Sequence, residues 1–189
     1  MGSTLNFAVL PCSDPDAADT IAIEIVALSL TGVSGPLVGP VTGPVPLVPD
    51  LNYNGSGGSF TYFATDIIGA VSGTSTASID VTAVNDAPVC PDVTATITED
   101  ISGSVSLACT DVDTGDSIEI EIVALNLTGV SGPVPGLVTA PVPLNPALNH
   151  EGSGGSFTYQ ATDTSSAISN TGTVAIDVTP VNDAPSAPT

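Results

Sequence analysis

The chain repeats itself. "IEIVALSLTGVSGP" at 23–36 returns as "IEIVALNLTGVSGP" at 120–133, and "GSGGSFTY" occurs at 55–62 and 152–159. "VNDAP" occurs at 84–88 and again at 181–185, so every displacement is 97 positions. From Cys12 to Pro91, 53 of 80 positions match their counterpart 97 residues on, without a gap. A period of that size is a domain, not a solenoid turn. The 189 residues therefore read as two copies of one domain, 1–87 and 88–189. Whatever one copy folds into, the other folds into as well.

Each copy reads as all-β. In "TIAIEIVAL" (20–28), Ile21, Ile23 and Ile25 fall on one face, and Ala22 and Glu24 on the other. "SIEIEIVAL" (117–125) repeats the pattern with Glu119 and Glu121 outward. "GSFTYFATD" (58–66) aligns Phe60, Tyr62 and Ala64, and "TASIDVTAV" (76–84) aligns Ala77, Ile79 and Val81. Period-two runs punctuated by Gly, Pro, Asn and Ser turns predict two tandem β-sandwiches. No stretch carries a helical period. The segments "GPLVGPVTGPVPLVP" (35–49) and "GPVPGLVTAPVPLNP" (132–146) interrupt the alternation. Proline cannot donate to a central ladder, so each is expected to be an extended excursion or a sheet edge. That edge either blocks strand pairing or binds a partner through Leu37, Val38, Val41, Val45 and Leu47.

The copies are out of phase with the chain. The strand-like "VTATITED" (93–100) opens the second copy, and its counterpart falls before residue 4. The expectation is either an excerpt of a longer array or subunits that stack head to tail, with a neighbour adding the missing strand.

Charge narrows function further. The chain has no lysine and no arginine against 20 Asp and Glu, a formal charge of −20. No side-chain ion pair with Lys or Arg can form, so each carboxylate faces water, accepts hydrogen bonds or binds a cation. Nucleic acid is excluded as a partner, because nothing neutralises phosphates. With 42% hydrophobic residues the composition is not that of a disordered chain. No run is long enough to span a membrane as a helix. "MGSTLNF" lacks the basic start and apolar stretch of a signal peptide, so a secreted protein would carry its signal outside this chain or have lost it.

The acid residues cluster. "TDVDTGD" (110–116) carries Asp111, Asp113 and Asp116, "ATD" ends at Asp163, and "VNDAP" supplies Asn85 and Asp86. In a sandwich all three segments are expected at the pole facing the preceding copy. Oxygen-only ligands suit a hard cation, and six to eight of them suit calcium. The equivalent group in the first copy is Asp14, Asp16, Asp19 and Asp66. At the far end of the second copy, Glu99, Asp100, Glu151, Asn182 and Asp183 form half of another expected site.

"TDVDTGD", "YQATD" and "VAIDVTPVNDAP" resemble the calcium-binding motifs of cadherin repeats. With "VNDAPVCPDVTATITED" (84–100) they resemble still more the cadherin-like and Ig-like tandem repeats of bacterial and archaeal surface proteins. The resemblance spans both copies almost entirely. It implies extracellular Ig-like sandwiches with calcium at their junctions, held by Asn85, Asp86, Asp111, Asp113 and Asp163.

Three cysteines cannot all pair within one chain. Cys12 and Cys109 are repeat-equivalent, and Cys90 has no counterpart. Cys90 precedes the first strand of the second copy and Cys109 is expected to end its second, so a Cys90–Cys109 disulfide would close a short loop. Cys12 is then free or bonded to another subunit. The alternative is three buried thiols. "NGS" (54–56) and "NLT" (126–128) are glycosylation sequons that do not recur between copies. "DTG" (113–115) has no second copy to supply an aspartic-protease dyad. His150 stands opposite Tyr53, and reads as an exposed loop residue rather than a triad member. "GSGGS" reads as a flexible turn with no phosphate-cradling helix after it.

The sequence thus points to a non-catalytic structural module of a secreted cell-surface adhesin or fibre. Adjacent repeats or copies of itself are the expected partners, with a surface glycan or protein ligand in addition. The alternative is a self-assembling filament or sheath subunit. A carbohydrate-binding module ranks lower, since the chain has no Trp and seven other aromatics.

Overall fold

A computed structural model describes residues 6–16 and 19–185. The chain divides into two compact units, Met1–Val84 and Asn85–Thr189, a cut three residues ahead of 87/88. Among the described residues there is no helix. Unit one comprises β1 (Asn6–Ala8), β2 (Ala22–Leu30), β3 (Val33–Ser34), β4 (Gly39–Val41), β5 (Val45–Pro49), β6 (Gly55–Thr65) and β7 (Ser75–Val81). Unit two comprises β8 (Val93–Thr98), β9 (Gly103–Val105), β10 (Glu119–Leu127), β11 (Val130–Ser131), β12 (Gly136–Leu137), β13 (Val142–Pro146), β14 (Gly152–Thr162) and β15 (Gly172–Thr179).

In each unit two sheets face each other over one core. Unit one has a four-stranded sheet, β4-β2-β6-β7, and a three-stranded one, β1-β5-β3. Unit two has β12-β10-β14-β15-β8 and β11-β13-β9. The difference is β8, which adds in parallel to β15, from Val93 opposite Val174 to Thr98 opposite Thr179. Its Ala95 and Ile97 join Phe157, Tyr159, Val174 and Ile176 in the core of unit two. Unit one centres on Ile25, Val45, Phe60, Tyr62 and Ile79.

The inward positions of the strands are those expected from alternation. Phe60, Tyr62 and Ala64 are buried, and Ala77, Ile79 and Val81 face the core. Alternation fails beyond Ile25 and Ile122. There a bulge shifts the register between Ile25 and Ala27, and between Ile122 and Ala124. An extra residue on one strand turns the following side chains out of phase. Ala27 and Ser29, and Ala124 and Asn126, which alternation would place inward, are therefore exposed, while Leu30 and Leu127 pack against the cores.

Four expectations are corrected. The proline-rich segments are not merely edges: β4 and β12 are sheet edges, but β5 and β13 are the central strands of the smaller sheets. Proline is accommodated because each flanking strand covers only part of the centre. β1 pairs with Val45–Leu47 and β3 with Val48–Pro49, leaving one side of Pro46 without a neighbour that needs its missing donor. Val45 and Leu144 are core residues, while Leu37 stays 86% exposed. "GSGGS" is no flexible turn but the start of β6 and β14, with a bulge between Ser56 and Gly58 and its twin between Ser153 and Gly155. Gly155 has φ +81, and a Cβ there would lie 2.1 Å from the Asn126 carbonyl oxygen, so only glycine lets the strands approach.

His150 is half-buried rather than exposed, its ring lying over Gly129, where a Cβ would meet the imidazole at 2.3 Å. Tyr53 lies over Gly32 in the same way. The Tyr53 hydroxyl donates to the Ser56 carbonyl, and His150 Nε2 is 3.2 Å from the repeat-equivalent Ser153 carbonyl. The sole histidine fills a structural slot. Finally, Cys109 does not end a strand: β9 stops at Val105, and Cys109 lies beyond it beside an isolated bridge between Val89 and Thr110.

Candidate metal centre

Three chain segments of unit two build the site, the third being the turn after β14 that carries Asp163. The first, 85–90, runs into the unit ahead of β8. The second, 109–116, runs from the Cys109 bridge towards β10. Cys90 and Cys109 are joined by a disulfide, with Cα atoms 4.3 Å apart. Next to it, Val89 and Thr110 exchange two backbone hydrogen bonds, at 2.8 and 2.9 Å. Further out, the Asp86 backbone N–H donates to Asp113 Oδ2 at 2.7 Å, and the Asn85 amide donates to Asp163 Oδ2 at 2.7 Å. The segments are thus fastened at successive levels, from the covalent bridge to the acidic mouth. Asn170 grips Cys90 from the other side, donating to its carbonyl at 2.6 Å and accepting from its N–H at 2.9 Å.

Asp163 follows the end of β14 at Thr162 and is only 6% exposed. Its Oδ1 accepts from the Ala167 N–H at 2.7 Å, which closes the turn toward β15. The Asn85 amide is the largest influence on its carboxyl and holds it below the usual pKa; burial opposes, and the N–H groups of Ala167, Ser165 and Ser166 add to the lowering. Asp163 is therefore an anion at neutral pH, sited where water is scarce. Asp111 accepts from the Asp113 N–H at 2.9 Å, the turn that bends the loop. Asp116 Oδ1 accepts from the Thr164 hydroxyl at 2.6 Å.

Asp111, Asp116 and Asp163 each offer a carboxylate oxygen, all within 4.8 Å of one another. Asp111 Oδ2 and Asp116 Oδ2 are buried and have no hydrogen-bond partner. A buried, unpartnered carboxylate oxygen is costly, and this chain has no Lys or Arg to compensate it. Three converging anionic oxygens, with no nitrogen or sulfur among the donors, fit a hard divalent cation such as calcium. Asp86 and Asp113 are not in this group; the Asp86–Asp113 bond ties the 85–90 segment to the 109–116 loop, and the Asn85 bond ties it to Asp163.

The other acidic residues are placed differently. In unit one Asp14, Asp16 and Asp19 gather within 4.8 Å, with the Asp16 N–H donating to Asp14 Oδ1 at 2.8 Å. Asp66 is not in that group; its Oδ1 accepts from the N–H of Ile68 and of Ala70, both at 2.8 Å. Among the described residues Glu99, Asp100, Glu151 and Asp183 join no group of three carboxylates. Glu99, 4% exposed, accepts from the Val181 N–H, and Asp100 from the Asn149 N–H at 3.1 Å. The Asn182 amide donates to the Asp183 carbonyl at 3.4 Å. Cys12 is a free, half-buried thiol. Sequence reasoning did not single out Thr164, Asn170 or Ser169. The signal available was repeat asymmetry: Thr164 stands opposite Ile67 and Asn170 opposite Gly73.

Comparison with known proteins agrees with this architecture. Residues 85–177 match the bacterial Ig domain family model. Human protocadherin-24, cadherin repeats 1–2, is similar in structure with a TM-score of 0.55 at 21% identity, over 93% of this chain and 87% of that one. Protocadherin gamma B7, cadherin domains 1–4, gives a TM-score of 0.52 at 18% identity over 90% of this chain. This chain spans about half (48%) of that protocadherin fragment. No curated protein matches the chain in sequence. The chain is thus built of tandem Ig-like, cadherin-like β-sandwich repeats, the second of which matches the bacterial Ig domain.

Proposed function

We propose that the chain is a non-catalytic structural module of an extracellular surface protein, an adhesin or fibre, whose second unit binds calcium through Asp111, Asp116 and Asp163. The bacterial Ig domain match supports the structural and extracellular reading, since such repeats generally serve outside the cell. The observation that carries the metal reading is the pair of buried carboxylate oxygens, Asp111 Oδ2 and Asp116 Oδ2, without a partner. A cation there offsets three charges at once. It also holds the 109–116 loop, and through Asp113 and Asp163 the segment at Asn85 and Asp86, in one arrangement. Calcium would then stiffen the entry into unit two.

The test is a calcium titration of the intact chain by calorimetry, with melting in calcium, magnesium and chelator. Affinities of extracellular calcium modules fall at about 10⁻⁴–10⁻³ M, and saturation at a hundred times Kd adds about 2.7 kcal/mol. A chain whose melting is indifferent to millimolar calcium does not have this function.

A second reading, a subunit that polymerises by strand addition, draws support from β7, which among the described residues pairs only with β6. Light scattering against protein concentration tests it; a strictly monomeric chain at all concentrations removes it.

A further inference from the structure

We infer that Thr164 is the positioning residue that sets the calcium affinity of unit two, an inference that rests on the metal reading above. Among the described residues the Asp116 carboxylate has one hydrogen-bond partner, and it comes from another part of the chain, whereas Asp111 is held by its own loop and Asp163 by its own turn. Asp116 follows Gly115, whose φ of +105 places it at a sharp bend, and three like charges within 4.8 Å repel one another. Unrestrained, Asp116 would swing to solvent. The Thr164 hydroxyl prevents this by donating to Oδ1 at 2.6 Å, which leaves Oδ2 turned inward, buried and unpartnered. A short bond from a hydroxyl to a carboxylate is among the stronger hydrogen bonds. Thr164 also directly follows Asp163 in sequence, so one side chain links the 111–116 loop to the corner that carries the third ligand.

The chain contains its own comparison. At the repeat-equivalent position of unit one stands Ile67, which has no hydroxyl and is 71% exposed. There Asp14, Asp16 and Asp19 gather, but Asp66, the counterpart of Asp163, is left outside the group. Unit one, which has neither this hydroxyl nor a bridge at Cys12, does not bring together the loop and the corner.

The experiment is calcium calorimetry on the intact chain carrying Thr164→Val, Thr164→Ser or no change, with melting of each in chelator to establish that it folds. Outer groups that orient metal ligands are worth about 10- to 100-fold in affinity. Thr164→Val is expected to lose affinity in that range while still melting cooperatively in chelator as a folded unit. Thr164→Ser, which keeps the hydroxyl, restores binding. Equal calcium affinity in the valine variant and the unchanged chain overturns the role of Thr164 and leaves the metal reading intact. Absence of binding by the unchanged chain overturns both.

Discussion

Removing the Cys90–Cys109 bridge should unfold unit two at much lower temperature and leave unit one where it was. The two cysteines are 19 positions apart. Cross-linking a loop of that length removes about 3 kcal/mol of chain entropy from the unfolded state. For a domain of roughly 100 residues this corresponds to more than about 10 °C in melting temperature or about 1–3 M in urea midpoint. The perturbation is the double variant Cys90→Ala/Cys109→Ala. Because Cys90 is buried and its sulfur sits 3.2 Å from Ser169 Oγ, the variant also loses packing; the unchanged chain held under reductant separates loss of the cross-link from loss of the sulfur. Scanning calorimetry in chelator excludes any contribution from calcium. Unit one, whose Cys12 is unpaired, is the internal control. A shift of the unit two transition below about 1 kcal/mol in both samples would refute the argument. So would an equal shift in both transitions.

Other outcomes follow from neighbouring features. Gly155→Ala should cost unit two well over about 1 kcal/mol, because its φ is +81 and the added Cβ would sit 2.1 Å from the Asn126 carbonyl; Gly58→Ala does the same to unit one, and the pair assigns the two calorimetric transitions. Asp116→Asn should stabilise unit two in chelator, by up to about 1 kcal/mol, while its response to calcium shrinks; a variant less stable than the unchanged chain in chelator contradicts the crowding argument. Alkali should destabilise unit two through Tyr159. Burial, and secondarily the charge of Asp92, push its phenol above the usual pKa, so the unfolded chain releases that proton first. The contribution of Tyr159 is complete below the unfolded value of about 10 and is lost as pH rises through the folded one. Tyr159→Phe should flatten this part of the pH profile, and should itself cost about 1 kcal/mol at neutral pH through the lost bond to the Pro91 carbonyl.

Much of the fold is readable because the chain is written twice. Alternation in one copy can be checked against the other, and Phe60, Tyr62 and Ile79 fall inward as their periods require. What the period could not carry is where it breaks. The bulge after Ile25 arises from pairing with β6, a contact between residues far apart in sequence. The central place of β5 depends on two short strands that flank it at different heights, so its prolines misread as an edge. The parallel union of β8 with β15 joins segments some eighty residues apart, which no local pattern encodes. In the acidic site, residue type and spacing pointed to Asp111 and Asp163, but could not show that Asp113 binds the Asp86 backbone, or that Asp66 turns to its own hairpin. Thr164 differs from its counterpart Ile67, but that difference alone does not give it a role. A threonine after an aspartate in a turn is given a role only by the oxygen it meets.

The parallel pair has a mechanical meaning. β8 stands at the entrance of unit two and β15 at its exit, and in a parallel pair those outer ends lie at opposite limits of the ladder. Tension along the chain therefore loads the six register pairs from Val93–Val174 to Thr98–Thr179 in shear, all together, where a hairpin would peel open one bond after another. The bridge just ahead of β8 adds to this. Cys90 and Cys109 enclose both β8 and β9, so a pull arriving at Asn85 passes across the sulfurs and cannot draw out the chain between them. Unit two can lengthen under load only when its main sandwich yields.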